Sequence, residues 1–286
     1  MKFALVPSRR DTYHTFVYYL FKFLGPSILS IGVLALLIHI WIESIIPKYD
    51  ILGKNLIYLF AVVSIILYSF YLYAVIITVF GDNGRLDEFI RKNARSKLIS
   101  QETLRSLPIC EKCGLPKPPR CHHCSFCNKC HLRMDHHCPS IGKCVALRNI
   151  QPFIVMLNWG IINITYNILQ LMILFWYTPK RDIKILGFVF SLVFLFYVVF
   201  KLKLDVMGRI KDNTTIIELL SSGRHSPYNL GVEENINQLF GKGKLRFLIP
   251  RKSNLIGFEW MLPEYRNDTD ILTNTNLDFQ NVSESI

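Results

Sequence analysis

Long apolar blocks alternate with charged stretches along the chain. Phe23 to Ile42 runs 20 residues without Asp, Glu, Lys or Arg; Leu56 to Phe80 runs 25, Pro152 to Thr178 runs 27 and Ile185 to Phe200 runs 16. An α-helix needs about 20 apolar residues to cross the hydrocarbon of a bilayer. The first three blocks meet that length. The fourth is shorter, but its apolar pattern continues through Leu202, Leu204 and Val206, and Lys201 and Lys203 between them can snorkel to the interface. Buried helices of soluble proteins are poorly matched to runs of this length. The pattern predicts an all-α polytopic membrane protein with four transmembrane helices. Lys2, Arg9 and Arg10 give the N-terminus a basic start, yet the apolar run that follows is too long, and lacks a small-residue cleavage site, for a removable signal peptide.

Composition agrees with this class: of 286 residues, 51% are hydrophobic and 13% aromatic. The net charge of +12 would, on a soluble chain, raise nucleic acid as a partner. Its distribution points to topology instead. Lys and Arg number 4 in residues 1–22, 2 in 43–55, 13 in 81–151, 3 in 179–184 and 11 in 201–286. Basic loops stay cytosolic. The expected layout is therefore a cytosolic N-terminus (1–22), helices 1 and 2 (23–80), a cytosolic loop (81–151), helices 3 and 4 (152–206) and a cytosolic C-terminal region (207–286). The lipid bilayer is an expected partner and nucleic acid is not; the basic surface suits anionic headgroups or an anionic ligand.

All eight cysteines and five of the eight histidines fall between residues 110 and 144. Disulfides do not persist in the cytosol, so metal binding is the expectation for such a cluster. Cys110-x2-Cys113 and Cys124-x2-Cys127, followed by Cys130 and Cys144, have the spacing of tetrahedral zinc ligands. A 71-residue loop with few large hydrophobes buries little core, and two zinc ions would supply the missing folding free energy. Two closed sites need eight ligands, fewer than the Cys and His available. Spacing does not say which are spare. Cys138, in Asp135-His136-His137-Cys138, is either a further ligand or a nucleophile with a base beside it.

The loop resembles the cysteine-rich domain of the DHHC protein S-acyltransferases (palmitoyltransferases). The residues that carry the likeness are Cys110-x2-Cys113, Lys117-Pro118-Pro119-Arg120, His123-Cys124-x2-Cys127-x2-Cys130, Asp135-His136-His137-Cys138-Pro139, Cys144-Val145, Asn149 and Phe153. Asp82-Asn83-Gly84 is similar to the family's Asp-Pro-Gly. Ser226 to Gly231, Asn235 and Phe240-Gly241 are similar to its C-terminal motif. The resemblance implies one zinc on Cys110, Cys113, His123 and Cys130, and a second on Cys124, Cys127, His137 and Cys144. It implies Cys138 as nucleophile, His136 as general base and Asp135 as the group that orients it, with Cys121 left over. It further implies palmitoyl-CoA as acyl donor, cysteine-bearing proteins at the membrane as acceptors, and an internal membrane, endoplasmic reticulum or Golgi, as location. Lys117, Arg120, Lys143 and Arg148 are candidates to pair with CoA phosphates.

The chain also departs from the family pattern. Ser140 stands where a Trp follows Cys-Pro, Lys143 replaces Asn and Ala146 replaces Gly. Thr-Thr-x-Glu appears as Thr215-Ile216-Ile217-Glu218, or slips in register to Thr214-Thr215. Ser140 and the altered Thr motif leave open a second reading, a catalytically weak zinc-bearing membrane adaptor of the same fold. Asn158, Asn163, Thr165 and Asn167 in the third block are read as helix-packing residues, or as the lining of an acyl cavity. Ile236, Leu239, Phe240, Leu245, Phe247 and Leu248 are expected in the interface plane.

Overall fold

The structure is a computed structural model that describes residues 24–26, 32–46, 53–96, 98–178, 183–222 and 226–261. In chain order its elements are α1 (Val33–Ile40, continued by a wider π turn at Trp41–Ile45), α2 (Lys54–Phe80), α3 (Leu86–Ser96) and α4 (Gln101–Ser106). Two hairpins follow, β1 (His122–Cys124) with β2 (Lys129–His131), and β3 (His136–Cys138) with β4 (Lys143–Val145). The remaining helices are α5 (Ile150–Tyr177), α6 (Ile183–Lys211), α7 (Ile216–Ser222) and α8 (Val232–Phe240).

Three helices, α2, α5 and α6, are long and apolar enough to cross a membrane. Their outer faces carry large apolar side chains in the open: Tyr58, Ile65, Phe190 and Phe194 are each more than 60% exposed. Surface this apolar suits lipid better than water. The first predicted span is described in pieces. Gly25 is buried with its Cα against the carbonyl of Pro139, while Ile40 and Ile45 join Leu171, Leu174 and Ile185 in a separate core at the other end of the bundle. The expected N-terminal stretch 1–22, residues 179–182 and the tail beyond 261 lie outside the described residues.

Helix α5 is the centre of the bundle and packs on both α2 and α6. Its polar residues make the helix-packing bonds. Asn163 donates to the Leu67 carbonyl at 3.0 Å, and Tyr166 to the Phe60 carbonyl at 3.2 Å. Asn167 and Thr165 bond back to carbonyls four residues earlier in their own helix. His39 lies edge-on to Phe188, also a packing contact.

The cysteine-rich body caps one end of the bundle and is tied to it at the end of α2. Asp82 Oδ1 accepts from the Gly84 N–H at 2.7 Å, closing a tight turn, and Asn83 Nδ2 reaches the Cys144 carbonyl at 3.2 Å. Gly84 has φ +86°, and a Cβ there would press on the Arg148 side chain, so the turn requires glycine. The Gly84 carbonyl accepts from Leu132 N–H at 2.8 Å. Of the residues expected in the interface plane, Ile236, Leu239 and Phe240 turn toward protein: α8 packs its apolar face on α6 and α5, leaving all three under 9% exposed.

Candidate active site and metal centres

Each hairpin is three residues per strand, too short to be stable without support. In each, the pairing register sets two ligand candidates face to face. His123 stands opposite Cys130 in β1–β2, and His137 opposite Cys144 in β3–β4. The turns bring up the remaining cysteines. The result is two groups, Cys110–Cys113–His123–Cys130 and Cys124–Cys127–His137–Cys144, whose ligand atoms all lie within 4.8 Å of one another. Zinc with ligands at 2.0–2.3 Å in tetrahedral geometry sets its ligands about 3.5–3.8 Å apart. His137 Nδ1 is 3.6, 3.4 and 3.7 Å from the sulfurs of Cys124, Cys127 and Cys144. His123 Nδ1 is 3.9, 3.1 and 3.8 Å from those of Cys110, Cys113 and Cys130. Donor type and spacing both fit closed, structural zinc sites. These are the same two groupings that the resemblance implied.

Strand geometry separates the neighbouring histidines. Successive side chains of a strand point to opposite faces. On β3, His137 faces the second metal group, and His136 and Cys138 share the other face. His136 Nδ1 donates to Asp135 Oδ2 at 2.8 Å, which leaves the opposite ring nitrogen on the strand face shared with Cys138. Burial opposes a charge on this ring, but Asp135 and Cys138 together raise its pKa to about 9. Phe153 packs edge-to-face on the imidazole, 5.8 Å between centroids.

Asp135 is wholly buried and accepts four hydrogen bonds. Besides His136, Arg209 at the end of α6 grips both oxygens, Nε to Oδ1 at 3.0 Å and Nη2 to Oδ2 at 2.7 Å. The Ile216 N–H, the first of α7, adds a fourth at 3.2 Å. Burial alone would push the carboxyl pKa up; the bonds from His136 and Arg209 outweigh it and hold it well below the usual carboxylate range. Arg209 lies 74 residues away and carries no local motif, so sequence reading did not find it.

Helix α7 is fixed by a capping box. Thr215 Oγ1 accepts from Glu218 N–H at 3.3 Å, and Glu218 Oε2 accepts from Thr215 N–H at 2.9 Å. This settles the register of the altered Thr motif on Thr215–Glu218. Glu218 also holds Arg120, whose Nε and Nη2 meet its oxygens at 2.7 and 2.9 Å. Arg120 bonds Asn213 as well and stacks between Tyr228 and Trp260. Nearby, the fully buried Arg133 reaches the Thr214 carbonyl at 3.3 Å.

The four basic candidates fare differently. The Arg120 guanidinium is enclosed by Glu218, Asn213 and two rings, so it is placed as a structural tie and not as a free phosphate partner. Lys143 donates to the carbonyls of Val79 and Gly81 at 2.8 and 2.7 Å, neutralising the C-terminal end of α2, and is likewise engaged. Arg148 bonds the Ser253 carbonyl at 3.1 Å and stays part-exposed. Lys117 lines an open cleft of about 590 Å³ with Lys112 and His122. Cys121 is buried, 1% exposed, beside Cys130.

A sequence profile of the DHHC palmitoyltransferase family matches residues 104–222. The chain is 32% identical over 203 residues to "Probable protein S-acyltransferase 12" of Arabidopsis thaliana, a match spanning 63% of this chain and 68% of that protein. It is 32% identical over 185 residues to human "Palmitoyltransferase ZDHHC2", covering 59% of this chain and 50% of the relative. It is 29% identical over 195 residues to "Palmitoyltransferase ZDHHC15" of Xenopus laevis, covering 60% and 57%. The chain thus spans about half of the length of the vertebrate relatives.

Proposed function

The chain belongs to the DHHC palmitoyltransferase family, and from that premise we propose that it transfers a long acyl group from acyl-CoA to cysteines of membrane-associated proteins, through an acyl-enzyme thioester on Cys138. The observation that carries this reading is the Asp135–His136–Cys138 set: a strand face that pairs the sulfur with an imidazole, and an aspartate beneath it clamped by four donors.

In the first step His136 holds the proton of the Cys138 thiol, and the sulfur attacks the carbonyl carbon of the acyl-CoA thioester. The bond from that carbon to the CoA sulfur breaks, and CoA leaves as its thiol with the proton from His136. In the second step a substrate cysteine gives its proton to His136 and attacks the acyl-Cys138 carbonyl. Cys138 departs and is reprotonated by the same ring. Asp135 keeps the ring turned toward Cys138 throughout. Cys110, Cys113, His123 and Cys130 would hold one zinc, and Cys124, Cys127, His137 and Cys144 the other. Both are closed sites, and zinc would contribute there to folding and not to activation.

A fourth crossing is part of the proposal. Gly25 at the cysteine-rich body and Ile45 in the far core set the two ends of the first segment at opposite ends of the bundle. A long acyl chain gains about 0.8 kcal/mol per CH2 on leaving water, so its tail belongs among the helices with the thioester at the cytosolic face. We propose Lys117 and Arg148, which both stay part-exposed, as the basic residues that meet CoA phosphates. We place the enzyme in an internal membrane, endoplasmic reticulum or Golgi, with both termini and residues 81–151 cytosolic.

The test is self-labelling of the purified chain with an alkyne-tagged fatty acyl-CoA. Wild type takes up label through a hydroxylamine-sensitive bond. Cys138→Ser loses the label and keeps two zinc per chain. Undiminished labelling of that variant overturns the assignment, and absent labelling of wild type favours the adaptor reading.

A further inference from the structure

From Asn235 to Phe258 the sequence has five cations, Lys242, Lys244, Arg246, Arg251 and Lys252, and no carboxylate. Gly241 to Ile249 within it forms turns, with no helix or strand ladder to satisfy its backbone. Helix α5 supplies the partners. Gln151 Nε2 donates to the carbonyls of Arg246 and Ile249 at 2.6 and 2.9 Å, and its oxygen accepts from Arg251 N–H at 2.7 Å. Asn158 donates to the Phe247 carbonyl and the Trp159 indole to the Leu248 carbonyl, each at 2.8 Å.

These contacts fix a depth. Helix α5 has 28 residues, about 42 Å, some 12 Å more than the hydrocarbon of a bilayer. If all the surplus stood on the side of the cysteine-rich body, the hydrocarbon would begin about eight residues into the helix, at Asn158. The backbone of Phe247 and Leu248 therefore lies at that boundary or below it. Irregular backbone persists there only when protein groups satisfy it, which is what Asn158, Trp159 and Gln151 do. On the outward side Leu245 is 50% and Ile249 39% exposed, flanked by exposed Lys242, Lys244, Arg251 and Lys252. Among the described residues none of these cations forms an ion pair. Glu233 and Glu234 line the other wall of the adjoining cleft. They stand in the first turn of α8, where the helix dipole favours them.

We propose that Gly241–Lys252 is a docking surface for anionic phospholipid, in which Lys242, Lys244 and Lys252 meet the headgroup phosphates while Leu245 and Ile249 enter the acyl boundary. Apolar tips between cations are the arrangement that binds an anionic interface. The proposal rests on α5 crossing the membrane and is independent of the transfer chemistry.

The experiment places the full chain in nanodiscs of phosphatidylcholine with a minority of phosphatidylserine, with bromine on the chains of one lipid or the other, and reads tryptophan quenching; Trp159 stands beside the segment. Brominated phosphatidylserine should quench wild type in excess of its mole fraction. K242Q/K244Q/K252Q should lose that excess, by about fivefold in lipid preference for each lysine, and K242R/K244R/K252R should retain it. Equal quenching of wild type by the two lipids, or an excess that survives in the Gln variant, overturns the proposal. Fluorescence reads lipid and not catalysis, so a failed labelling assay and a failed lipid assay remain distinct results.

Discussion

His136 and His137 are the same side chain one position apart, and the alternation of a strand gives them different neighbours. Removing a base leaves the fold standing and slows the reaction by roughly 10²–10⁴. Removing a zinc ligand opens the site, so metal and local structure go together. His136→Ala should therefore keep two zinc per chain with labelling nearly gone. His137→Ala should lose about one zinc and become protease-sensitive between residues 110 and 144, and metal analysis of the pair reveals any exchange of roles. The motif that holds them was legible in the sequence because it is local, while their separate roles came from the family resemblance, since spacing did not say which ligands were spare. Arg209 was not legible, because nothing near it announces a partner 74 residues earlier. Its fork holds both oxygens of Asp135, so it acts on Cys138 only through two other side chains. Arg209→Met should lower the labelling kcat by about tenfold, short of losing the base itself, with KM for acyl-CoA and zinc content unchanged. Arg209→Lys keeps the charge but not the fork, and should recover part of the rate. A KM effect as large as the kcat effect would assign Arg209 to ligand binding.

Helix α7 is seven residues long, and its capping box determines where it starts. That start delivers the Ile216 N–H to Asp135 and sets Glu218 on Arg120. The altered Thr motif thus reads in the structure as an element that braces the aspartate from outside the cysteine-rich loop. Sequence reading recognised the motif but left its register open, since a capping box is defined by the helix it begins. The same limit applied to Arg120: a cation in a basic loop suggests a phosphate partner, and only the fold shows Glu218 arriving from 98 residues away. Glu218→Ala removes the cap and leaves the Arg120 charge unpaired, with that side chain 1% exposed. Breaking a buried pair from one side costs about 3–5 kcal/mol, less here because Glu218 is 21% exposed. Thermal unfolding should show a loss on the order of 2–3 kcal/mol, and labelling should fall with it. Stability equal to wild type would mean that α7 is not what holds Asp135.

At the scale of the whole molecule, the second and third apolar blocks gave α2 and α5 to within two residues of their ends, because crossing a bilayer leaves a helix little choice of length or composition, whereas α6 runs past the fourth block to Lys211 and the first block is described only in part. Which face each helix presents to the others was less legible, since lipid and a neighbouring helix are equally apolar. Polar residues such as Asn163 reveal it only through the carbonyls they reach. The arrangement makes the topology testable. Helix α2 runs toward the cysteine-rich body, α5 runs away from it, and the two pack together. Lys54, Tyr177 and Ile183 therefore share the far end, about 40 Å from the body along the 27 residues of α2. That distance exceeds the hydrocarbon thickness of about 30 Å, so if α2 crosses, Lys54 emerges on the opposite face. The charge pattern makes the same assignment independently, with 13 basic residues in 81–151 against 2 in 43–55. A protease-cleavable tag inserted after Lys54 should be cut from outside sealed vesicles that keep their cytosolic face inside. A tag within residues 85–105, or at either terminus, should be protected until detergent is added. If the tag after Lys54 is protected together with that in 85–105, α2 does not cross, and the lipid boundary drawn across α5 falls with it.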